Sequence, residues 1–193
     1  MCFSCNVAQL ALLAVVAAVG VWWAARKVEN VGANGLGFST TAEQAAAPYD
    51  VAGRVVLVTG GRHGGVGYEA VRVLANKGAH VYLHARRQSQ ADESAAMVRA
   101  QNASARVTPV AFDLSDLAEV AAAAERLAAA EPKWHVLMLN AGTMMIAERT
   151  PTKQQLELTM GVNHVAHHLL ATKLLPQLRA AAAADGTPAR VVS

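Results

Sequence analysis

Arg54-Val55-Val56-Leu57-Val58-Thr59-Gly60-Gly61-Arg62-His63-Gly64-Gly65-Val66-Gly67 decides the fold of this chain. The first half is a β-branched apolar run without polar alternation, the pattern of a strand buried on both faces. The second half is rich in glycine and leads into an amphipathic stretch. Backbone that must approach a pyrophosphate closely uses glycine at such a place, and the helix N-terminus that follows supplies N–H donors and a positive dipole. Gly65-Val66-Gly67-x-x-Ala70 also satisfies the ordinary dinucleotide pattern, but its first glycine falls well past the strand end. A glycine-rich loop alone is weak evidence for a nucleotide. The rest of the chain has to agree with it.

Downstream, short apolar runs alternate with helical patterns. Tyr68 to Lys77 reads as a helix stopped by Gly78. His80 to Ala85 is a second strand, Ala91 to Asn102 a second helix, and Arg106 to Phe112 a third strand. Ser115 or Asp116 caps a helix over the Ala-rich 117–130, which ends before Pro132. Trp134 to Leu139 is a fourth strand. Thr152 to about Ala184 is helical, with interruptions expected near Gly161 and Pro176. Ala189 to Val192 begins a fifth strand. Strands and helices that alternate in this way imply an α/β, doubly wound parallel sheet covered on both faces.

Upstream, Val7 to Ala25 contains only Gln9 as a strongly polar residue. At 1.5 Å per residue this run spans about 28 Å, close to a hydrocarbon core. Trp22 and Trp23 stand at its C-terminal end, followed by Arg26 and Lys27, and no Lys or Arg precedes it. Residues 1–27 are therefore expected to be one transmembrane anchor, with the remainder facing the cytoplasm, as at the endoplasmic reticulum. A signal peptide would want a basic start and a shorter apolar run. Cys2 and Cys5 precede the span. A redox site would need a strand before them and zinc two more ligands, which leaves lipidation or no role. Residues 28–51 mix Asn, Gly, Ser, Thr and Pro and read as a linker.

Composition narrows the function. The chain has 193 residues, 53% hydrophobic and 16% charged, which excludes a disordered, solvated polypeptide. The net charge of +3 comes from 17 basic and 14 acidic side chains, scattered rather than clustered, and aromatics make up 5%. Nucleic acid is not an expected partner. Two cysteines cannot build a disulfide framework. His164 and His168 lie one helical turn apart, but without further ligands they read as packing, and no metal is expected.

The motifs taken together resemble the short-chain dehydrogenase/reductase family, in its retinol dehydrogenase-like branch, over residues 52–193. The family's Thr-Gly-x-x-x-Gly-x-Gly loop corresponds to Thr59 through Gly67, here one residue longer: Gly60 to Gly64 keeps the first spacing and Gly65 to Gly67 the second. Asp113-Leu114 stands where the family's Asp contacts adenine. Asn140-Ala141-Gly142 matches the Asn-Ala-Gly beside the cofactor, and Val162 to Leu170 matches the Asn-bearing helix. The resemblance implies a Rossmann-like domain, C-terminally incomplete. It implies cofactor contacts from Gly60, Arg62, Gly64, Gly65, Gly67, Arg86, Asp113, Leu114, Asn140, Ala141 and Gly142. Asn163 is the implied catalytic asparagine, holding a water for proton relay.

The second strand ends His84-Ala85-Arg86-Arg87, where an NAD enzyme would place an acid for the ribose hydroxyls. A guanidinium suits a 2′-phosphate, so NADP is favoured over NAD, with Arg62 assisting. The branch and the anchor together imply a lipophilic alcohol or carbonyl substrate, and leave room for a homo-oligomer. The family's catalytic Tyr-x-x-x-Lys is absent. Tyr49, Tyr68 and Tyr82 are followed at the fourth position by Gly53, Arg72 and Arg86, and Ser193 matches the position before the family's catalytic serine. Two expectations follow: a fragment of a membrane-anchored reductase, or a non-catalytic NADP(H)-binding or interaction protein. Either would leave a sheet edge and apolar helix faces uncovered.

Overall fold

The computed structural model describes Gly32 and residues 35–193. The expected span Val7 to Ala25 and the Cys2/Cys5 pair lie outside the described residues, and no described helix is long and apolar enough to cross a membrane. The chain divides into two compact units, Met1–Ala47 and Pro48–Ser193.

In the first unit, the stretch expected to be an irregular linker contains a short helix, α1 (Ala42–Ala46). Its cause is a capping box: the Gln44 amide N–H donates to Thr41 Oγ1, and the Thr41 N–H donates to Gln44 Oε1.

The second unit runs β1 (Val55–Val58), α2 (Val66–Asn76), β2 (His80–Ala85), α3 (Gln88–Gln101), β3 (Arg106–Ala111), α4 (Leu117–Ala130), β4 (Val136–Met138), α5 (Leu158–Met160), a π-helical turn (Gly161–Ala166), α6 (His167–Asp185) and β5 (Arg190–Val192). All five strands are parallel, in the order β3-β2-β1-β4-β5. Alternation along β1 splits the core. Val56 and Val58 pack with Val71, Val81, Leu83 and Val98 on the α2/α3 face, and Leu57 packs with Val120, Trp134, Leu137, Leu170 and Leu174 on the α4/α6 face. The sheet is thus covered on both sides, as the continuous apolar strands require. At one edge β5 stays open, with Val191 49% and Val192 44% exposed.

Two readings of the long C-terminal helix need correction. It begins at Leu158, not Thr152, because residues 152–157 are held in a turn. The Leu156 N–H donates to Thr152 Oγ1, and Lys153 and Gln154 both reach the Asp116 carboxylate at the start of α4. Glu157 then caps α5, accepting from the Thr159 and Met160 N–H groups, and those bonds hold its carboxyl below the usual range. The interruption at Gly161 takes the form of the π turn. No interruption occurs at Pro176, which lies within the continuous α6. Loss of one backbone bond there is outweighed by the buried stripe Leu170, Leu174, Leu178 and Ala181.

Candidate functional site

Strand order reverses between β1 and β4, and ligands of open parallel sheets bind beyond the carboxyl ends of the strands at such a point. A cleft of about 600 Å³ opens there. Gly60, Arg62, Gly65, Arg86, Asp113, Leu114, Asn140, Ala141 and Gly142 line it, so nine sequence-derived positions converge from four strand ends. Gly64, Gly67 and Asn163 do not line it.

The turn after β1 is clamped from two sides. Gly60 has φ +71°, and a Cβ there would stand 2.9 Å from the Ala141 Cα. Asn140 Nδ2 donates to the carbonyls of Thr59 (2.9 Å) and Gly60 (3.3 Å), and the Ala141 N–H donates to Thr59 Oγ1 (3.0 Å). The Asn-Ala-Gly segment therefore builds the turn as well as bordering the cleft.

The extra residue of the loop is taken up between Arg62 and Gly65. The Gly65 N–H donates to the Arg62 carbonyl at 3.2 Å, with Gly64 at φ +84° in the third position of the turn, where a positive φ favours glycine. Gly65 then caps α2 at the cleft rim. Gly67 sits behind the turn, and a Cβ on it would lie 2.4 Å from Asn140 Nδ2 and 2.5 Å from the Gly60 carbonyl oxygen. Gly64 and Gly67 thus shape the loop from outside the cleft.

Asn163, in the π turn, spends its side chain on one residue. Its Oδ1 accepts from the Thr143 N–H (2.8 Å) and its Nδ2 donates to the Thr143 carbonyl (2.9 Å). Its place in this structure is to pin the strand-β4 exit loop at Thr143, which lines the cleft. Asp113 accepts from the Ser115 N–H, and Ser115 also lines the cleft.

Two buried histidines flank the turn, and neither was singled out in the sequence as part of the site. His84 Nδ1 lies 3.2 Å from the Gly60 nitrogen, its Nε2 lies 2.9 Å from the Phe112 carbonyl, and its ring packs tilted against Phe112 with centroids 4.0 Å apart. His167 Nε2 lies 3.0 Å from Thr59 Oγ1, and its Nδ1 lies 3.0 Å from the Asn163 carbonyl. A legible signal existed: histidine in an apolar strand must find two partners or stay unsatisfied. Burial lowers both pKa values, that of His84 to about 4.

Neutral in the folded state, these histidines gain protons near pH 6.5 once unfolded. Their contribution to stability is complete above about pH 6.5 and is lost as pH falls below it, for His84 down to about pH 4 and by up to about 3 kcal/mol. Urea midpoints followed by circular dichroism are expected to decline steadily between pH 7 and 4.5, and less steeply in His84→Asn. A flat midpoint over that range refutes this. Asp116, held down to about 2 first by its bond from Lys153 and then by that from Gln154, adds a loss only in stronger acid.

Among the described residues no group of three or more His, Cys, Asp or Glu comes together as metal ligands. His164 and His168 stack with ring centroids 6.3 Å apart on the exposed side of the helix.

Residues 54–192 match the model of the family described as short chain dehydrogenase. The chain belongs to this family. Within it, the chain is retinol dehydrogenase-like: retinol dehydrogenase 12 of Mus musculus is 39% identical over 143 residues, covering 74% of this chain and 43% of that protein. Short-chain dehydrogenase TIC 32 B, chloroplastic, of Brassica napus is 31% identical over 164 residues, covering 85% of this chain and 51% of that protein. Among solved structures, the Pseudomonas aeruginosa RhlG/NADP active-site complex superposes with a TM-score of 0.62 at 31% identity, covering 74% of this chain and 54% of that one. A short chain dehydrogenase of Escherichia coli CFT073 complexed with NADPH gives a TM-score of 0.55 at 27% identity, covering 67% of this chain and 55% of that one. The chain spans about half, or less, of the length of the curated relatives it matches. Short-chain dehydrogenases are NAD(P)-using oxidoreductases, and the cleft's clamped glycine turn suits the close approach of a dinucleotide.

Proposed function

We propose that this chain is the cofactor-holding part of a membrane-anchored, NADP-dependent oxidoreductase for a lipophilic alcohol, aldehyde or ketone. The observation that carries the cofactor choice is the pair of guanidinium groups at the cleft, Arg62 in the glycine loop and Arg86 at the end of β2. Both side chains are exposed, and neither forms an ion pair among the described residues. Two unpaired cations beside a helix N-terminus favour a ligand with an extra phosphate.

A bound nicotinamide cofactor supplies the hydride acceptor or donor. The chain's own residues would hold it in parts. The Gly60 turn and the Gly65 cap of α2 receive the pyrophosphate, Arg86 and Arg62 take the 2′-phosphate, and Asp113 and Leu114 border the adenine. Ala141 to Thr143, pinned by Asn163, wall the opposite end. The lipophilic substrate rests on the similarity to retinol dehydrogenase 12 and on the apolar N-terminal run.

Proton transfer is a separate requirement. The family's Tyr-x-x-x-Lys pair does not occur in these 193 residues. This favours a second reading for the polypeptide alone, that it binds NADP(H) without turning it over. Energy transfer from tryptophan to NADPH is expected to saturate on titration, while absorbance at the NADPH band stays constant with a panel of aldehydes and ketones. Absence of a binding signal in folded protein refutes the cofactor reading, and steady NADPH oxidation refutes the non-catalytic one.

A further inference from the structure

We propose that His84 is a positioning residue of the nucleotide cleft, holding the glycine turn in its binding geometry through the Gly60 N–H. The inference rests on the reading of this cleft as a cofactor site. His84 is 2% exposed and sits on β2, between the strands whose ends it joins. Its partners fix its protonation pattern. The Phe112 carbonyl can only accept, so Nε2 carries the hydrogen, and Nδ1 must accept from the Gly60 N–H.

The consequence falls on the two peptide groups that meet at Gly60. The N–H of Gly60 is held by His84, and its carbonyl is held by Asn140. The next residue is tied to the same strand position, since the Gly61 N–H donates to the His84 carbonyl at 2.8 Å. Gly60 adopts a positive φ that has no intrinsic preference over other conformations open to glycine. Its orientation is therefore set by these partners. Without the ring nitrogen, the Thr59–Gly60 peptide keeps the Asn140 bond to its carbonyl but loses the tie on its N–H, and the wall that faces a pyrophosphate is less pre-organised. His167 serves the same turn from the other side, where it holds the Thr59 hydroxyl.

The two ring bonds can be removed separately. Asparagine places an acceptor near Nδ1, and glutamine places a donor near Nε2. His84→Asn keeps the bond from Gly60 and loses the one to Phe112; His84→Gln does the reverse. Both lose the ring contact with Phe112 and are expected to melt lower by similar amounts. NADPH affinity is expected to separate them: within about three-fold of the parent for His84→Asn, and about ten-fold weaker for His84→Gln and His84→Ala, the worth of one hydrogen bond. Equal losses in Asn and Gln, or affinities that follow melting temperature, overturn the assignment.

A second readout needs no ligand. In ¹⁵N-resolved spectra the Gly60 amide proton is expected to keep its hydrogen-bonded shift in His84→Asn and to move upfield in His84→Gln. The reverse result, or no difference, also overturns the assignment. If folded parent protein binds neither NADPH nor NADH, the cofactor reading fails, and the Gly60 amide still decides whether His84 positions the turn.

Discussion

Replacing Arg86 by alanine is expected to weaken NADPH binding about 30- to 100-fold while changing NADH binding less than about three-fold, the range that follows from losing charge-assisted hydrogen bonds to one phosphate. Among the described residues, those lining the cleft bring a single carboxylate, that of Asp113 at the end of β3, and two guanidinium groups, from Arg62 and Arg86. The two cofactors differ by the 2′-phosphate, so a residue that recognises this group alone must split their affinities. Because Arg86 is exposed, the NADPH preference is also expected to shrink as salt rises, which NADH binding would show far less. Arg86→Asp goes further, supplying an acid for the ribose hydroxyls in place of a cation for the phosphate. It is expected to invert the preference. Titration of both cofactors by energy transfer reads the ratio directly. Equal weakening of NADPH and NADH in Arg86→Ala would show that Arg86 maintains the fold of the β2 end and does not read the phosphate.

The ease of reading this fold in sequence varied with the kind of interaction that decides each part. Buried parallel strands advertise themselves through runs such as Val55 to Val58 and His80 to Ala85, because both faces of each are covered. The cap of α4 was readable as Ser115 or Asp116 because a cap acts within its own helix turn, and Asp116 takes it by accepting from the Ala118 N–H. The misplaced start of the C-terminal helix has the opposite character. Lys153 and Gln154 look like ordinary helix formers, and only the distant Asp116 carboxylate keeps them in a turn. Pro176 stays within the helix for a related reason, since the burial of Leu174 and Leu178 is tertiary and outweighs the local penalty.

The same division runs through the site. Residues that line the cleft, such as Gly60, Arg86 and Asn140, are marked by residue type and motif spacing. His84 and His167 act by joining segments far apart in the chain, and nothing local marks the Gly60 or Thr59 partner. Gly64 and Gly67 fall between these cases. Their types were legible as loop glycines, but their place outside the cleft depends on how the extra residue is accommodated, and the Arg62–Gly65 turn decides that.

Gly67 therefore gives a sharper stability test than any glycine that lines the cleft. A Cβ on it meets Asn140 Nδ2 at 2.4 Å and the Gly60 carbonyl oxygen at 2.5 Å, one of them backbone in a turn already fixed on both sides. Alanine in a helix normally gains about 1 kcal/mol over glycine. Here the overlap forces α2 and the turn apart, at a cost of about 1–3 kcal/mol for overpacking, together with the loss of the Asn140 bonds. Gly67→Ala is expected to lower the melting temperature by several degrees, and Gly67→Val, with two more carbons in the same space, by more than about 10 °C or to prevent folding. Gly65→Ala supplies the control on the same segment. Its φ is −112°, and its Cβ would meet only the Arg62 carbonyl oxygen at 3.4 Å, so the melting temperature is expected to stay within about 2 °C of the parent. Gly64→Ala tests backbone strain without crowding: its Cβ meets nothing within 4 Å, but its φ of +84° costs an L-residue about 1 kcal/mol. The expected order of damage is Gly67, then Gly64, then Gly65. Thermal melts that place Gly65→Ala below Gly67→Ala would mean that α2 does not pack against the Gly60 turn through Gly67.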